Sequence, residues 1–249
     1  GALGRMGLAI IDELDRNFTN LQVLHAIENP NHPKINSLIG KKITIQKLPR
    51  KFSVDLIIDF STPKSSINLA KIASQFRTPI VIGTTGFSKN QINQLISISK
   101  KIPILQSYNM SIGINIMLKI IKNNFEFFNS TDLEIIEKHH KQKVDSPSGT
   151  ALLIAENIAN LKNKKLTSIE KYRNKSANAK RSKHEVGISS IRGGNTVGEH
   201  TLISYGDTEN ITIKHEALSR SVFAKGAIEL GLKLINKKKG FYSVIDLLN

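Results

Sequence analysis

The hydrophobic positions of the first hundred residues alternate between two periods. Met6, Ile10, Ile11 and Leu14 recur at helical spacing, which predicts an amphipathic helix. Residues 21–27, 54–60, 79–82 and 103–106 are short, largely apolar runs with many β-branched side chains, the pattern of strands covered on both faces. Between them, helices are predicted over 64–75, behind Ser61-Thr62-Pro63, and over 89–100. A polar stretch from Asn29 to Pro49, broken by Pro30, Pro33 and Gly40, is expected to be a loop with one short strand at 42–45. Strands alternating with helices predict a parallel, doubly wound sheet.

The second half has a different rhythm. Residues 115–128 are apolar and helical in pattern, and Leu133-Glu134-Ile135-Ile136 predicts a strand running into His139. Ser146 followed by Pro147 has the form of a helix start, with Ser146 as N-cap and the helix continuing through Ala159. Residues 171–183 carry strong charge and no period, so a loop is expected. Three further strands are predicted at 186–191, 200–205 and 209–215, with turns at Gly193-Gly194 and Gly206-Asp207. From Ala217 onward Val222, Ala224, Ala227, Leu230 and Leu234 restore the helical period. The expected fold class is α/β: a Rossmann-type parallel sheet domain plus a smaller α+β domain with a mixed sheet.

Composition narrows the function classes. A chain of 249 residues with 39% hydrophobic content buries a real core in one or two domains. It has no cysteine, which excludes disulfides, a thiol nucleophile and Cys-type zinc sites, and points to a reducing, cytoplasmic location. No apolar run approaches the ~18 residues that cross a bilayer, so no membrane partner is expected. The net charge of +16 raises nucleic acid as a partner. However, the lysines are scattered, with local clusters at 162–165 and 237–239, and the charged loop has only Tyr172 to stack on a base. No nucleic acid is therefore expected, and the charge favours small anionic ligands. A non-catalytic basic nucleic-acid-binding protein stays open as an alternative.

The chain opens with Gly1, Gly4 and Gly7 in a GxxGxxG turn followed by a helix, a phosphate-binding pattern, with Arg5 and Met6 as neighbouring cofactor candidates. Glu28 ends the next predicted strand about 20 residues on, where a carboxylate meets a ribose hydroxyl. A βαβ nucleotide unit has a strand before its glycine turn, so a first strand is expected ahead of Gly1. The densest chemistry lies in Glu137-Lys138-His139-His140-Lys141-Gln142-Lys143-Val144-Asp145-Ser146-Pro147-Ser148-Gly149-Thr150. If the strand continues, His139 and His140 face opposite ways. The helix start would leave the N–H groups of Ser148, Gly149 and Thr150 available to a carboxylate or phosphate, with Gly149 allowing close approach. Neither an HExxH motif nor a carboxylate cluster is present, so no metal site is predicted.

This segment resembles the signature of the 4-hydroxy-tetrahydrodipicolinate reductases, roughly E-x-H-H-x-x-K-x-D-x-P-S-G-T-A, at every fixed position. The 83–87 loop, the 108–115 stretch and Arg192-Gly193-Gly194-Asn195-Thr196-Val197-Gly198-Glu199-His200-Thr201 also resemble family segments, so the likeness spans the chain. The resemblance implies an NADH- or NADPH-dependent reduction of a small cyclic dicarboxylate with loss of water, in the diaminopimelate route to lysine. The alternative within the fold is an oxidoreductase of another small dicarboxylate. It implies His139 as general acid/base and Lys143 as proton donor, with His140, Lys143, Gly149 and Thr150 binding the substrate. It further implies Gly83, Thr84, Thr85, Ser107, Asn109 and Met110 as cofactor contacts. The C-terminal segment is expected to rejoin the first domain, giving 1–109 with 220–249 and 110–219, and a homotetramer is expected. Asn29, where some members carry Arg, predicts that NADH serves at least as well as NADPH.

Overall fold

The computed structural model describes all residues except 41–42, 50, 52, 174–179 and 249. The start of the predicted 42–45 strand and the middle of the charged loop lie outside the described residues. The chain forms two compact units, Gly1–Ile112 with Arg220–Asn249, and Gly113–Ser219. In order, it runs through α1 (Arg5–Asn17), β1 (Ala26–Ile27), β2 (Leu38–Ile39), β3 (Ile43–Gln46), β4 (Ile57–Asp59), α2 (Pro63–Gln75), β5 (Ile80–Ile82), α3 (Lys89–Ser99) and β6 (Pro103–Gln106). Next come α4 (Ile112–Asn123), α5 (Phe125–Ser130), β7 (Asp132–His139), α6 (Gly149–Leu161), β8 (Glu170–Lys171), β9 (Val186–Arg192), β10 (Gly198–Tyr205) and β11 (Asn210–Ala217). The chain closes with α7 (Ser221–Ile235), β12 (Gly240–Tyr242) and α8 (Val244–Leu247).

In the first unit, β12, β6, β5 and β4 form a parallel sheet in that order. All of β5 is buried, as expected where helices cover both faces. Local chemistry starts its helices. The Thr62 hydroxyl accepts the Ser65 N–H ahead of Pro63, and Ser88 with Gln91 makes a reciprocal capping box. Met110, Leu105, Ala227, Leu230 and Leu234 share one core cluster. Gly226 of α7 has no side chain where the Met110 carbonyl sits.

A second small sheet holds β1, β3 and β2, with β1 parallel to β3. The predicted strand over 21–27 shrinks to Ala26 and Ile27, which pair with Ile45 and Gln46. Among the described residues 21–25 have no ladder partner, and a strand without one is not a strand. Gly1 lies at the ends of both β1 and β4. Its backbone nitrogen donates to Ile27 O at 3.0 Å, and a Cβ there would come 3.1 Å from Phe60 O.

In the second unit the sheet order is β11-β10-β7-β9-β8, with β7 parallel to β9 and antiparallel to β10. Along β7, Leu133, Ile135, Glu137 and His139 are buried while their neighbours are less so, the alternation a pleated strand imposes. Helix α6 packs on this sheet. The helix predicted over 115–128 is two helices, because Asn124 leaves helical geometry at φ −118° and ψ 30°.

Candidate active site

The last turn of β7 carries the chemistry. Glu137 is fully buried and His139 is 8% exposed. His139 Nδ1 lies 2.5 Å from Glu137 Oε2. Arg192, at the end of neighbouring β9, donates a fork to the same carboxylate, Nη1 to Oε2 at 2.8 Å and Nη2 to Oε1 at 2.6 Å. The Ser148 N–H adds a further bond to Oε1 at 3.2 Å. Burial alone would raise the pKa of Glu137, but the donors Arg192, Ser190 and His139 outweigh it and hold the carboxyl at about 2. Burial lowers the pKa of His139, an effect that Glu137 opposes and that Lys143 and Arg192 reinforce. On the Nε2 side lies Gly198, where a Cβ would stand 3.0 Å from that nitrogen.

The loop beyond β7 is drawn tight by its backbone. Lys143 N–H donates to His140 O at 3.1 Å, Lys141 N–H to Gly194 O at 3.2 Å and Gly193 N–H to His139 O at 2.9 Å. Lys143 Nζ pairs with Asp145 Oδ1 at 2.7 Å, and that bond is the main reason the Asp145 carboxyl falls below its ordinary range. Arg192 Nη2 also reaches Asp145 O at 2.7 Å. His140 sits just past the strand end, half-buried.

The helix start differs from the expectation. Ser148, not Ser146, is the N-cap, because its hydroxyl accepts the Ala151 N–H at 3.2 Å while its own backbone remains extended. The Ser148 N–H is therefore committed to Glu137 rather than available to an anion. Gly149 is exposed with open space around it, and Thr150 is half-buried beside it. The Ser148 hydroxyl also meets His200 Nε2 at 3.0 Å. His200 stacks edge-on against His139, with ring centroids 5.2 Å apart.

In the first unit, the residues fit a dinucleotide. Helix α1 has no side-chain cap and no acid in its first turn, which leaves its positive end to an anion. Gly4 and Arg5 are exposed there, and Met6 is half-buried. A Cβ on Gly7 would fall 2.5 Å from Ala2 O, so the turn closes only on glycine. Glu28 accepts the Leu3 N–H of this turn at 3.0 Å and the Asn29 N–H at 2.8 Å. Gly83 is half-buried and Thr85 exposed. Thr84 is buried, its hydroxyl 2.9 Å from Ser66 Oγ, which is hydrogen-bonded to Asp59. Ser107 and Asn109 knit their own turn, Ser107 Oγ donating to Asn109 O at 2.9 Å and Asn109 Oδ1 accepting Ser111 N–H at 2.8 Å. The Met110 side chain belongs to the core, so only its backbone is placed to meet a ligand.

Glu137, Arg192 and His200 were assigned no role from the sequence, and Ser148 only an N–H for an anion. For Glu137 a signal existed: it stands two residues before His139, hence on the same strand face.

Two family models cover the chain: dihydrodipicolinate reductase, N-terminus, over residues 1–110, and dihydrodipicolinate reductase, C-terminus, over residues 113–248. The 4-hydroxy-tetrahydrodipicolinate reductase of Buchnera aphidicola subsp. Cinara cedri is 42% identical, covering 100% of this chain and 94% of the relative. That of Clostridium tetani is 38% identical, covering 100% and 95%. Among solved structures, a dipicolinate-bound dihydrodipicolinate reductase from Paenisporosarcina sp. TG-14 matches with TM-score 0.78 at 22% identity, over 98% of this chain and 95% of that one, which supports the fold. With both halves matched by one family and full-length relatives near two-fifths identity, this chain belongs to the dihydrodipicolinate reductase family.

Proposed function

We propose that the protein reduces 4-hydroxy-tetrahydrodipicolinate to tetrahydrodipicolinate with NADH or NADPH, releasing water, in the diaminopimelate route to lysine. The observation that carries this reading is the signature segment itself. In a chain of this family it brings His139 and Lys143 together with the exposed Gly149 that starts α6.

The chemistry sets what each residue does. The reduced nicotinamide cofactor, its pyrophosphate held at the glycine turn, would supply the hydride when bound. Gly149 and Thr150 bind a ring carboxylate, since the positive end of a helix dipole favours an anion. His140 assists in holding that carboxylate. His139 serves as general acid/base for loss of the hydroxyl as water, and Lys143 gives the proton that balances the incoming hydride. Asp145 Oδ1, 2.7 Å from Lys143 Nζ, orients that side chain.

Glu28 would repel a 2′-phosphate and Asn29 offers no cation, so NADH serves at least as well as NADPH. The exposed Ile191, Tyr205 and Ile211 on the second unit's strands support assembly into a homotetramer, which sedimentation equilibrium tests. Cytoplasmic location accords with the absence of cysteine, and no described helix is long and apolar enough to cross a membrane.

The deciding experiment is oxidation of NADH and NADPH, followed at 340 nm (about 10⁻⁴ M cofactor, a concentration near ordinary KM values), with freshly generated 4-hydroxy-tetrahydrodipicolinate. Turnover dependent on that substrate supports the reading. Oxidation with another dicarboxylate but not this one overturns it.

A further inference from the structure

The Glu137 carboxylate has no solvent exposure, yet nothing in the reduction requires a buried acid at that point. Its oxygens touch three separate pieces of the site. Oε2 meets His139 Nδ1 at 2.5 Å, Oε1 accepts the N–H of Ser148 at 3.2 Å, and both oxygens take the Arg192 fork. Through Arg192 the contact extends to Asp145 O at 2.7 Å, the residue whose side chain pairs with Lys143.

We propose that Glu137 is a positioning residue: together with Arg192 it holds His139 in one tautomer and registers the Lys143 loop and the α6 N-terminus to that ring. The inference rests on the reductase reading for the roles of His139 and Lys143, but its structural content stands apart from it.

The physical reason is the donor and acceptor inventory. An ionised carboxylate only accepts hydrogen bonds, and an arginine only donates. A neutral imidazole facing Glu137 through Nδ1 must therefore carry its proton there, leaving the lone pair on Nε2, the atom beside Gly198. The guanidinium neutralises Glu137 in a bidentate geometry that an ammonium does not reproduce. Without that neutralisation, the buried carboxylate would draw a second proton onto His139. The charged or titratable groups facing His139 are Glu137 on its own strand, Arg192 on β9, His200 on β10 and Lys143 in the following loop. The Ser148 N–H on the same carboxylate ties the helix end, and so Gly149 and Thr150, to the imidazole.

The test uses the full chain with ¹⁵N-labelled histidine, His139 being assigned by difference with His139→Gln. Long-range ¹H–¹⁵N spectra of the wild type are expected to show the Nδ1–H tautomer of a neutral His139 at pH 7.5; an Nε2–H tautomer overturns the proposal. Glu137→Gln is expected to lose that preference and to lower kcat on the order of 10²-fold, with the KM for NADH within about twofold of wild type. Wild-type kcat in a folded Glu137→Gln overturns it. Arg192→Lys keeps a cation and loses the fork, so the acid limb of its kcat/KM profile should move to higher pH, and an unmoved profile with wild-type kcat overturns the role of Arg192. Should Glu137→Gln fail to fold by circular dichroism, the wild-type tautomer and Arg192→Lys still decide. A wild type that does not oxidise NADH with the substrate sinks the reductase reading, while the tautomer spectra continue to judge the positioning role.

Discussion

Acid should weaken the second unit through a residue that does no chemistry. His200 is 4% exposed, with its ring against His139 and its Nε2 on the Ser148 hydroxyl. Burial, followed by the charge of His139, pushes it from 6.5 down to about 4, against the pull of Glu137. Between those two values the unfolded chain binds a proton that the folded chain refuses. Stability is therefore complete above pH 6.5 and drains away as pH falls toward 4. One pKa unit corresponds to about 1.36 kcal/mol, so the whole effect is roughly 3 kcal/mol. About 2 kcal/mol of it falls between pH 7.5 and pH 5. Glu137, held at about 2 against 4.5 in the unfolded chain, adds only a small slope near pH 5, and it is present in both proteins compared. The assay is urea unfolding followed by far-UV circular dichroism at pH 7.5 and pH 5, for the wild type and for His200→Gln, whose amide can still meet Ser148. His139 and His215, both lowered by burial, titrate in both proteins, so the comparison reads His200 together with its coupling to His139. The wild type should lose ~2 kcal/mol more than the variant on acidification. Equal losses would show that His200 is not held neutral by its surroundings.

Four further outcomes are expected. His139→Gln should lower kcat by ~10² or more and leave cofactor affinity near its wild-type value; unchanged turnover removes His139 from the mechanism. Thr150→Val, which keeps volume and deletes the hydroxyl, should raise the substrate KM alone, whereas equal loss of substrate and NADH affinity would assign Thr150 a role in folding. Gly198→Ala places a methyl 3.0 Å from His139 Nε2 and should cost ~1–3 kcal/mol in stability together with a fall in kcat; a thermal midpoint and kcat both at wild-type values would mean that space is not filled by the ring. Asn29→Arg should shift the kcat/KM ratio toward NADPH by charge-assisted contact with the 2′-phosphate. A tenfold or greater wild-type preference for NADPH would assign phosphate reading to another cation.

Much of the fold was legible because it follows from local rules. The β-branched runs of β5 and β6 are buried by helices that their own sequences start, through Thr62-Pro63 and the Ser88–Gln91 box. The signature segment likewise announced His139, Lys143 and a helix start from spacing and resemblance. What stayed hidden depends on partners far along the chain. Ser146, standing before Pro147, reads as the cap; Ser148 is the one whose hydroxyl meets the Ala151 N–H, with its N–H on Glu137 and its side chain on His200, 52 positions away. Met110, adjacent to a ligand loop, is drawn into the core by α7 from more than a hundred residues later. Strand β12 is three residues long, too short for a period, and exists because β6 offers it a ladder. Glu137 reads as an ordinary strand acid until Arg192 arrives from 55 residues downstream with both ends of its fork. Hydrophobic period and capping act over a few residues and can be read directly. Ladder pairing and the compensation of a buried charge are contacts between distant segments, and only the tertiary structure decides them.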